Sequence, residues 1–212
     1  MADSTIRENI KSFINHLHPR IVEYKKNEII LRTNQDSREI GCVLEGTVYL
    51  CAEDQNYERN ILCILREGNC FSKALLLPSD TAASYLITKY PTRIAYFQRE
   101  ELVNWHRKHP FETDDFVSLM RNQLEKDLLS QNYILHQKTL RRKLICYLKK
   151  ESDDQNSRNL TIPIPFSDLA DYLGVDRSAL MKEIAKMKEE QLISGKNHRL
   201  TLHASLFHED VS

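Results

Sequence analysis

Between residues 167 and 193 the chain reads Ser167-Asp-Leu-Ala-Asp-Tyr-Leu-Gly-Val-Asp-Arg-Ser-Ala-Leu-Met-Lys-Glu-Ile-Ala-Lys-Met-Lys-Glu-Glu-Gln-Leu-Ile193. Its chemistry is that of hydrogen-bond donors carried on a helix. Two amphipathic stretches are broken at Leu173-Gly174-Val175, where Gly174 supplies the positive φ of a turn. Ser167 is the expected N-cap of the first helix and Asp176 of the second, each offering a side-chain oxygen to free backbone N–H groups. Leu169, Ala170 and Leu173 then face inward, as do Leu180, Ile184 and Met187, so Arg177, Ser178, Met181, Lys182 and Ala185 are left on the outer face. Two helices with such a turn form a helix-turn-helix, whose second helix lays its N-terminal residues along base edges in the major groove. Arg177 in the first turn can donate two hydrogen bonds to guanine O6 and N7, Lys182 can reach a guanine or a phosphate, and Ser178 can bond either kind of base.

The run Leu192-Ile-Ser-Gly-Lys-Asn-His-Arg-Leu-Thr-Leu-His203 reads as a β-hairpin with a basic turn, a wing whose Lys196 and Arg199 can touch the DNA backbone. Thirty basic residues balance thirty acidic ones overall. The balance is uneven along the chain: residues 1–137 carry 17 basic and 19 acidic groups, residues 138–202 carry 13 and 9, and the tail adds two acids. The positive surplus therefore sits where a nucleic acid needs it. A helical hairpin of purely structural use is disfavoured by turn, wing and local charge together.

The first third of the chain supplies a different texture. Ile21–Tyr24, Glu28–Leu31, Ile40–Leu44, Thr47–Ala52, Asn60–Leu65, Tyr85–Thr88 and Arg93–Phe97 are short β-branched and aromatic runs at roughly ten-residue intervals, which predicts a small barrel or roll. A helix over about residues 4–17 is expected before it. Residues 99–109 are helix-like, and after Pro110 no Gly or Pro interrupts the chain for about forty residues. Within that stretch Val117, Met120, Leu124, Leu128, Gln131 and Leu135 recur at steps of three and four, while Phe116, Leu119 and Tyr133 lie off the stripe. A helix with two apolar sides needs two partners, and the simplest second partner is its own symmetry mate. The amphipathic pattern continues through Thr139–Lys150, and Glu151–Asn159 reads as a polar loop. The expected division is a roll over 1–110, a dimerisation helix over 111–137 and a winged helix-turn-helix over 138–212, an α+β chain.

Five cysteines, at 42, 51, 63, 70 and 146, fit neither a disulfide framework nor paired zinc ligands. Reduced thiols packed in the core are the expectation, with a cysteine of the roll that senses oxidant or an electrophile as the alternative. The start of the chain lacks the apolar run of a signal peptide, and no stretch approaches the ~18 apolar residues of a membrane span. A soluble cytoplasmic protein without membrane contact is expected.

Roll, long helix and winged helix-turn-helix in this order resemble the Crp/Fnr family of bacterial transcription regulators over essentially the whole chain. The segment Asp168–Leu180 with Lys188–Ile193 is similar to the family's DNA-reading signature, and Leu44-Glu-Gly-Thr-Val-Tyr-Leu50 and Glu67-Gly-Asn-Cys-Phe71 to its glycine-marked turns. The resemblance implies an effector pocket around Gly68, Phe71, Ser72, Lys73, Ala83 and Ser84. In members that bind cyclic AMP, a Glu of this turn takes the ribose hydroxyl and an Arg about ten residues on takes the phosphate. Here Ser72 stands for the second glycine of the turn, Lys73 for the Glu and Ala83 for the Arg, so the fixed cation is lost and the ribose acceptor has the wrong sign. An effector other than cyclic AMP, or none, is expected. The N-terminal cysteine cluster of the family's iron–sulfur oxygen sensors is absent, since no Cys precedes residue 42.

A roll-shaped enzyme of the cupin type would need an H-x-H pair and further ligands inside the roll, but no His lies between residues 19 and 105. His16 and His18 form such a pair ahead of the roll, where helical spacing would turn them apart and leave them as solvated or capping groups. The expected protein is therefore no enzyme and holds no cofactor or metal. It is a homodimer on double-stranded DNA with a palindromic operator, with RNA polymerase and an unidentified small-molecule effector as further partners.

Overall fold

The computed structural model describes residues 16–32, 37–53, 59–72, 83–110, 125 and 128–208. The chain divides into two compact units, Met1–Leu128 and Leu129–Ser212.

The first unit is a roll of two four-stranded antiparallel sheets. Strands β1 (Arg20–Tyr24), β2 (Ile29–Arg32), β3 (Glu39–Glu45), β4 (Thr47–Glu53), β5 (Arg59–Arg66), β6 (Cys70–Ser72), β7 (Ala83–Thr88) and β8 (Thr92–Gln98) precede helix α1 (Arg99–Lys108). The sheet orders are β1-β8-β3-β6 and β2-β7-β4-β5. All seven runs expected from the sequence are strands, with ends moved by at most two residues. The short edge strand β6 was not among them, because three residues next to a glycine turn are too few to show a period. Of the expected first helix only residues 16–17 are described, and they are helical.

Period-two alternation decides what each sheet buries. Val43, Phe71, Ile94 and Tyr96 from one sheet meet Val48, Leu50, Cys63, Leu65 and Leu86 from the other in the main core. The alternate residues Cys42, Cys70, Ala95 and Phe97 form a second cluster on the opposite face of the first sheet, against Leu17, Ile40, Leu44 and, from α1, Leu102 and Trp105. The expectation of reduced thiols fails for two of the five cysteines. Cys42 and Cys70 lie directly opposite each other in the β3·β6 ladder, with Cα atoms 4.1 Å apart, and are joined as a disulfide. Cys51 and Cys63 are buried and Cys146 half-buried, none of them in a disulfide. His16 is exposed, as expected, and one face of its ring lies against Trp105, ring centroids 4.9 Å apart.

The second unit contains helix α2 (residues 128–135, its first residue belonging to the first unit), α3 (Leu140–Gln155), β9 (Asn159–Thr161), α4 (Phe166–Leu173), α5 (Arg177–Glu189), β10 (Ile193–Lys196) and β11 (Arg199–Leu202). Two expectations are corrected here. The apolar-periodic text does not make one unbroken helix, because the chain leaves α2 at His136, whose ring nitrogen meets the carbonyl of Asn132, and α3 starts afresh with Thr139 Oγ1 accepting from the Arg142 N–H at 3.2 Å. Residues 151–155 are helix rather than polar loop: Glu151 and Ser152 are buried, Ser152 Oγ donates to the Ser157 carbonyl, and Asn156 ends the helix with φ 46°. Polar composition alone misleads when each polar group finds an internal partner. Gln155 does so on both sides of its amide, donating to the Thr161 carbonyl and accepting from the Thr161 N–H. Strand β9, unforeseen, adds a third strand to the wing in the order β10-β11-β9.

No helix among the described residues is long and apolar enough to cross a membrane.

Candidate nucleic-acid interface

The turn between α4 and α5 is built by two residues. Gly174 takes φ +61° and closes α4, its N–H directed to the carbonyl of Asp171, a left-handed conformation in which a Cβ is strained. Asp176 caps α5: its Oδ1 accepts from the N–H groups of Ser178 at 2.7 Å and Ala179 at 3.0 Å. The Ser178 hydroxyl donates to the same oxygen, and these three donors hold the Asp176 carboxyl below its ordinary range. The start of α4 differs from expectation. Pro165 is its N-cap and Phe166 its first residue, so Ser167 lies inside the helix, half-buried, with its hydroxyl directed to Asp168 at 3.3 Å.

Leu180, Ile184 and Met187 are the buried stripe of α5. Arg177, Ser178, Lys182 and Ala185 are exposed, and Met181, large and apolar, is 41% exposed on the same side. A first turn with its apolar residues anchored below presents the remaining side chains outward as a rigid row.

Helix α3 fixes the pair from behind, which sequence reading missed. Arg141 Nε lies 2.6 Å from Glu183 Oε1, and its Nη1 and Nη2 reach the two oxygens of Glu190 at 2.7 and 3.0 Å. Lys143 Nζ donates to the Leu173 carbonyl at 3.0 Å, satisfying the C-terminal end of α4. Arg141 and Lys143 had been counted only in the positive surplus. They are spent inside the domain, whereas Arg177, Lys182, Lys196 and Arg199 are exposed and make no salt bridge among the described residues. An i,i+49 carboxylate partner leaves no local sequence signal.

The wing is the β10–β11 hairpin, in which Lys196 pairs Arg199 across the turn Asn197-His198. The His198 ring stacks on Phe166, the first residue of α4, with centroids 5.1 Å apart and planes at 11°. The His198 carbonyl also accepts from the Ile162 N–H at 2.6 Å. Wing tip and helix-turn-helix are thereby joined through an aromatic contact.

In the roll, Gly68 has φ +92° in the turn before β6, Phe71 is buried edge-on to Tyr96, and Ser72 is half-buried opposite Ile40. Ser84 is buried on β7, in the other sheet, opposite Ala52, and the backbone of Ala83 pairs Glu53. Lys73 lies outside the described residues. Of the expected dimer stripe, Val117, Met120 and Leu124 also lie outside them. Leu128 is 40% exposed, Leu135 is half-buried and Gln131 is buried within its own chain. Leu129 and Tyr133, four residues apart on α2, are 62% and 65% exposed.

The family described as cyclic nucleotide-binding domain matches residues 21–109, and that described as Crp-like helix-turn-helix domain matches residues 142–204. No curated protein matches the chain significantly. Among solved structures, FixK2 from Bradyrhizobium japonicum is similar with TM-score 0.71 at 16% identity, over 92% of this chain and 98% of that one. A doubly substituted CooA from Carboxydothermus hydrogenoformans has TM-score 0.74 at 20% identity, over 90% and 87%. CLP of Xanthomonas campestris, described as a c-di-GMP responsive global regulator, has TM-score 0.67 at 16% identity, over 93% and 99%. At such identities the structures share the fold, and the two family matches make that fold a roll of the cyclic nucleotide-binding type followed by a Crp-like helix-turn-helix. The chain belongs to the Crp/Fnr family of DNA-binding transcription regulators.

Proposed function

We propose that this regulator acts in the cytoplasm as a homodimer that reads an inverted-repeat operator through the first turn of α5 and answers to an effector other than cyclic AMP, or to none. The observation that carries the DNA-reading part is the Asp176-capped turn, which presents Arg177, Ser178 and Lys182 in one exposed row above a buried stripe. Arg177 fits a guanine in two-toothed fashion. Ser178 has its hydrogen engaged by Asp176 and so offers lone pairs, which suits the amino group of adenine or cytosine rather than guanine O6. Lys182, one turn on, suits a phosphate as well as a base, and Ser167, Met181, Lys196 and Arg199 fill out the contact surface. The dimer reading rests on the apolar exposure of α2, and a two-fold dimer places its reading helices about one DNA turn, ~34 Å, apart.

The test is a titration of the protein against an inverted-repeat duplex enriched from a random-sequence pool, repeated across salt. Arg177→Ala is expected to lose about 1–3 kcal/mol on that duplex and to relax preference at one base pair per half-site. Lys182→Ala is expected to weaken specific and random DNA alike and flatten the salt dependence. Equal loss on both DNAs for Arg177→Ala would make Arg177 a backbone contact and overturn the assignment of the reading row.

A further inference from the structure

The Cys42–Cys70 pair lies at a place where a bond between two strands has mechanical consequences. Strand β3 is flanked on both sides, by β8 and by β6, whereas β6 is an edge strand held to β3 over three residue pairs: Ile40–Ser72, Gly41–Phe71 and Cys42–Cys70. One of those three pairs is covalent. The next, Gly41–Phe71, is a wedge. A Cβ on Gly41 would come within 2.4 Å of the Phe71 ring, so the ring occupies the space the glycine leaves and stands edge-on to Tyr96. The strand that the disulfide tethers therefore carries Phe71 and Ser72, two residues of the expected effector pocket. The two cysteines share a buried cluster with Ala95 and Phe97 of β8, and Leu102 and Trp105 of α1 pack against that cluster. A DNA-binding regulator works where low-molecular-weight thiols keep cysteines reduced, and there a disulfide is commonly a transient, sensing one.

We propose that Cys42 and Cys70 are a thiol–disulfide couple through which the redox state of the low-molecular-weight thiol pool sets the seat of β6 and, resting on the DNA-binding reading above, the affinity for operator. The oxidant is a small disulfide such as glutathione disulfide. The thiolate of Cys70, 8% exposed where Cys42 is fully buried, attacks one sulfur of that disulfide and expels one glutathione thiolate. The Cys42 thiol then loses its proton to solvent and attacks the Cys70 sulfur, forming the bond seen here and releasing the second glutathione thiolate. Two protein thiols are oxidised by two electrons and one glutathione disulfide is reduced to two glutathiones; the reverse exchange opens the bond. Two separate thiols need more room than a bonded pair, and the edge strand β6 and the half-buried face of α1 are what can yield it. Cys51 and Cys63, buried and outside any disulfide, serve as internal controls expected to stay thiols throughout.

Trp105, the single tryptophan of the chain, sits on this cluster and reports it directly. The full-length protein is equilibrated in glutathione buffers from fully reduced to fully oxidised, quenched with acid and alkylated. The Cys42–Cys70 peptide pair is quantified by mass, beside Trp105 emission and affinity for the enriched inverted-repeat duplex. The expected result is reversible interconversion within this range, a parallel change in Trp105 emission, and affinities in the two end states that differ by about fivefold or more. Cys42→Ser and Cys70→Ser should each make emission and affinity independent of the buffer. A bond that persists in the most reducing buffer, or never forms in the most oxidising one, overturns the proposal, as does interconversion with equal DNA affinity at both ends. Absence of DNA binding in either state would fail the operator reading itself and the proposal with it.

Discussion

Arg141 holds Glu190 in a two-toothed ion pair, guanidinium nitrogens at 2.7 and 3.0 Å from the two carboxylate oxygens, and so fastens the end of the reading helix to the helix behind it. The Glu190 hydrogen bond in turn raises the Arg141 pKa, and the guanidinium lowers that of Glu190. Asp176 is lowered as well, by Ser178 and the N–H of Ala179. Carboxyls whose folded pKa lies below the unfolded value, about 4, contribute stability above that value and lose it as pH falls through the folded one. Urea midpoints of the chain should therefore be level from about pH 5 upward and drop below about pH 4. Glu190→Gln should lower the midpoint at pH 7 and make the acid drop shallower, and Arg141→Ala should remove the effect of Glu190→Gln in a double-mutant cycle. An unchanged acid slope in Glu190→Gln would mean that the pair contributes nothing in solution.

Gly174 and Met187 support the same turn by different physics and should fail differently. Among the described residues Leu135, at 4.0 Å, is the one neighbour of a Cβ placed on Gly174, so Gly174→Ala should cost mainly the left-handed backbone, about 1 kcal/mol. Gly174→Asn should recover part of it. Met187 is fully buried, and Met187→Ala should cost about 2–5 kcal/mol. Chemical denaturation followed by circular dichroism ranks the three, and a larger loss for Gly174→Ala than for Met187→Ala would contradict the packing described.

The dimer reading predicts a mass of two chains by light scattering. Leu128→Glu and Tyr133→Glu place a charge on the exposed side of α2 and should give monomers that keep their fold but lose affinity for the inverted repeat more than for a single half-site. A monomeric wild type at micromolar concentration would sink it.

Cyclic AMP should neither bind with micromolar affinity nor raise DNA affinity, because the resemblance in sequence aligns Lys73 with the ribose acceptor and Ala83 with the phosphate cation of members that bind it. Saturable heat in calorimetry at micromolar ligand would show that other groups of the roll replace them.

What the sequence determined by itself was carried by short-range period and turn chemistry. Seven strands were legible because alternate side chains of a strand face opposite sides. The helix-turn-helix was legible because the Leu180–Ile184–Met187 stripe, Gly174 and Asp176 act within a few residues of one another. Tertiary structure alone decided what depends on register between distant segments. Cys42 and Cys70, 28 residues apart, become partners only once β6 pairs β3, and no spacing rule for cysteines encodes that ladder. Arg141 enters the charge count only as part of the positive surplus of residues 138–202, yet Glu183 and Glu190, 42 and 49 residues on, claim it when α3 meets α5. At the start of α4 the local preference itself lost: Ser167 is a better cap than proline, but Leu169 N–H reaches the Pro165 carbonyl at 2.9 Å, and the helix begins before the serine can cap it. Propensity ranks what each residue favours alone, and packing selects the one arrangement that satisfies its neighbours as well.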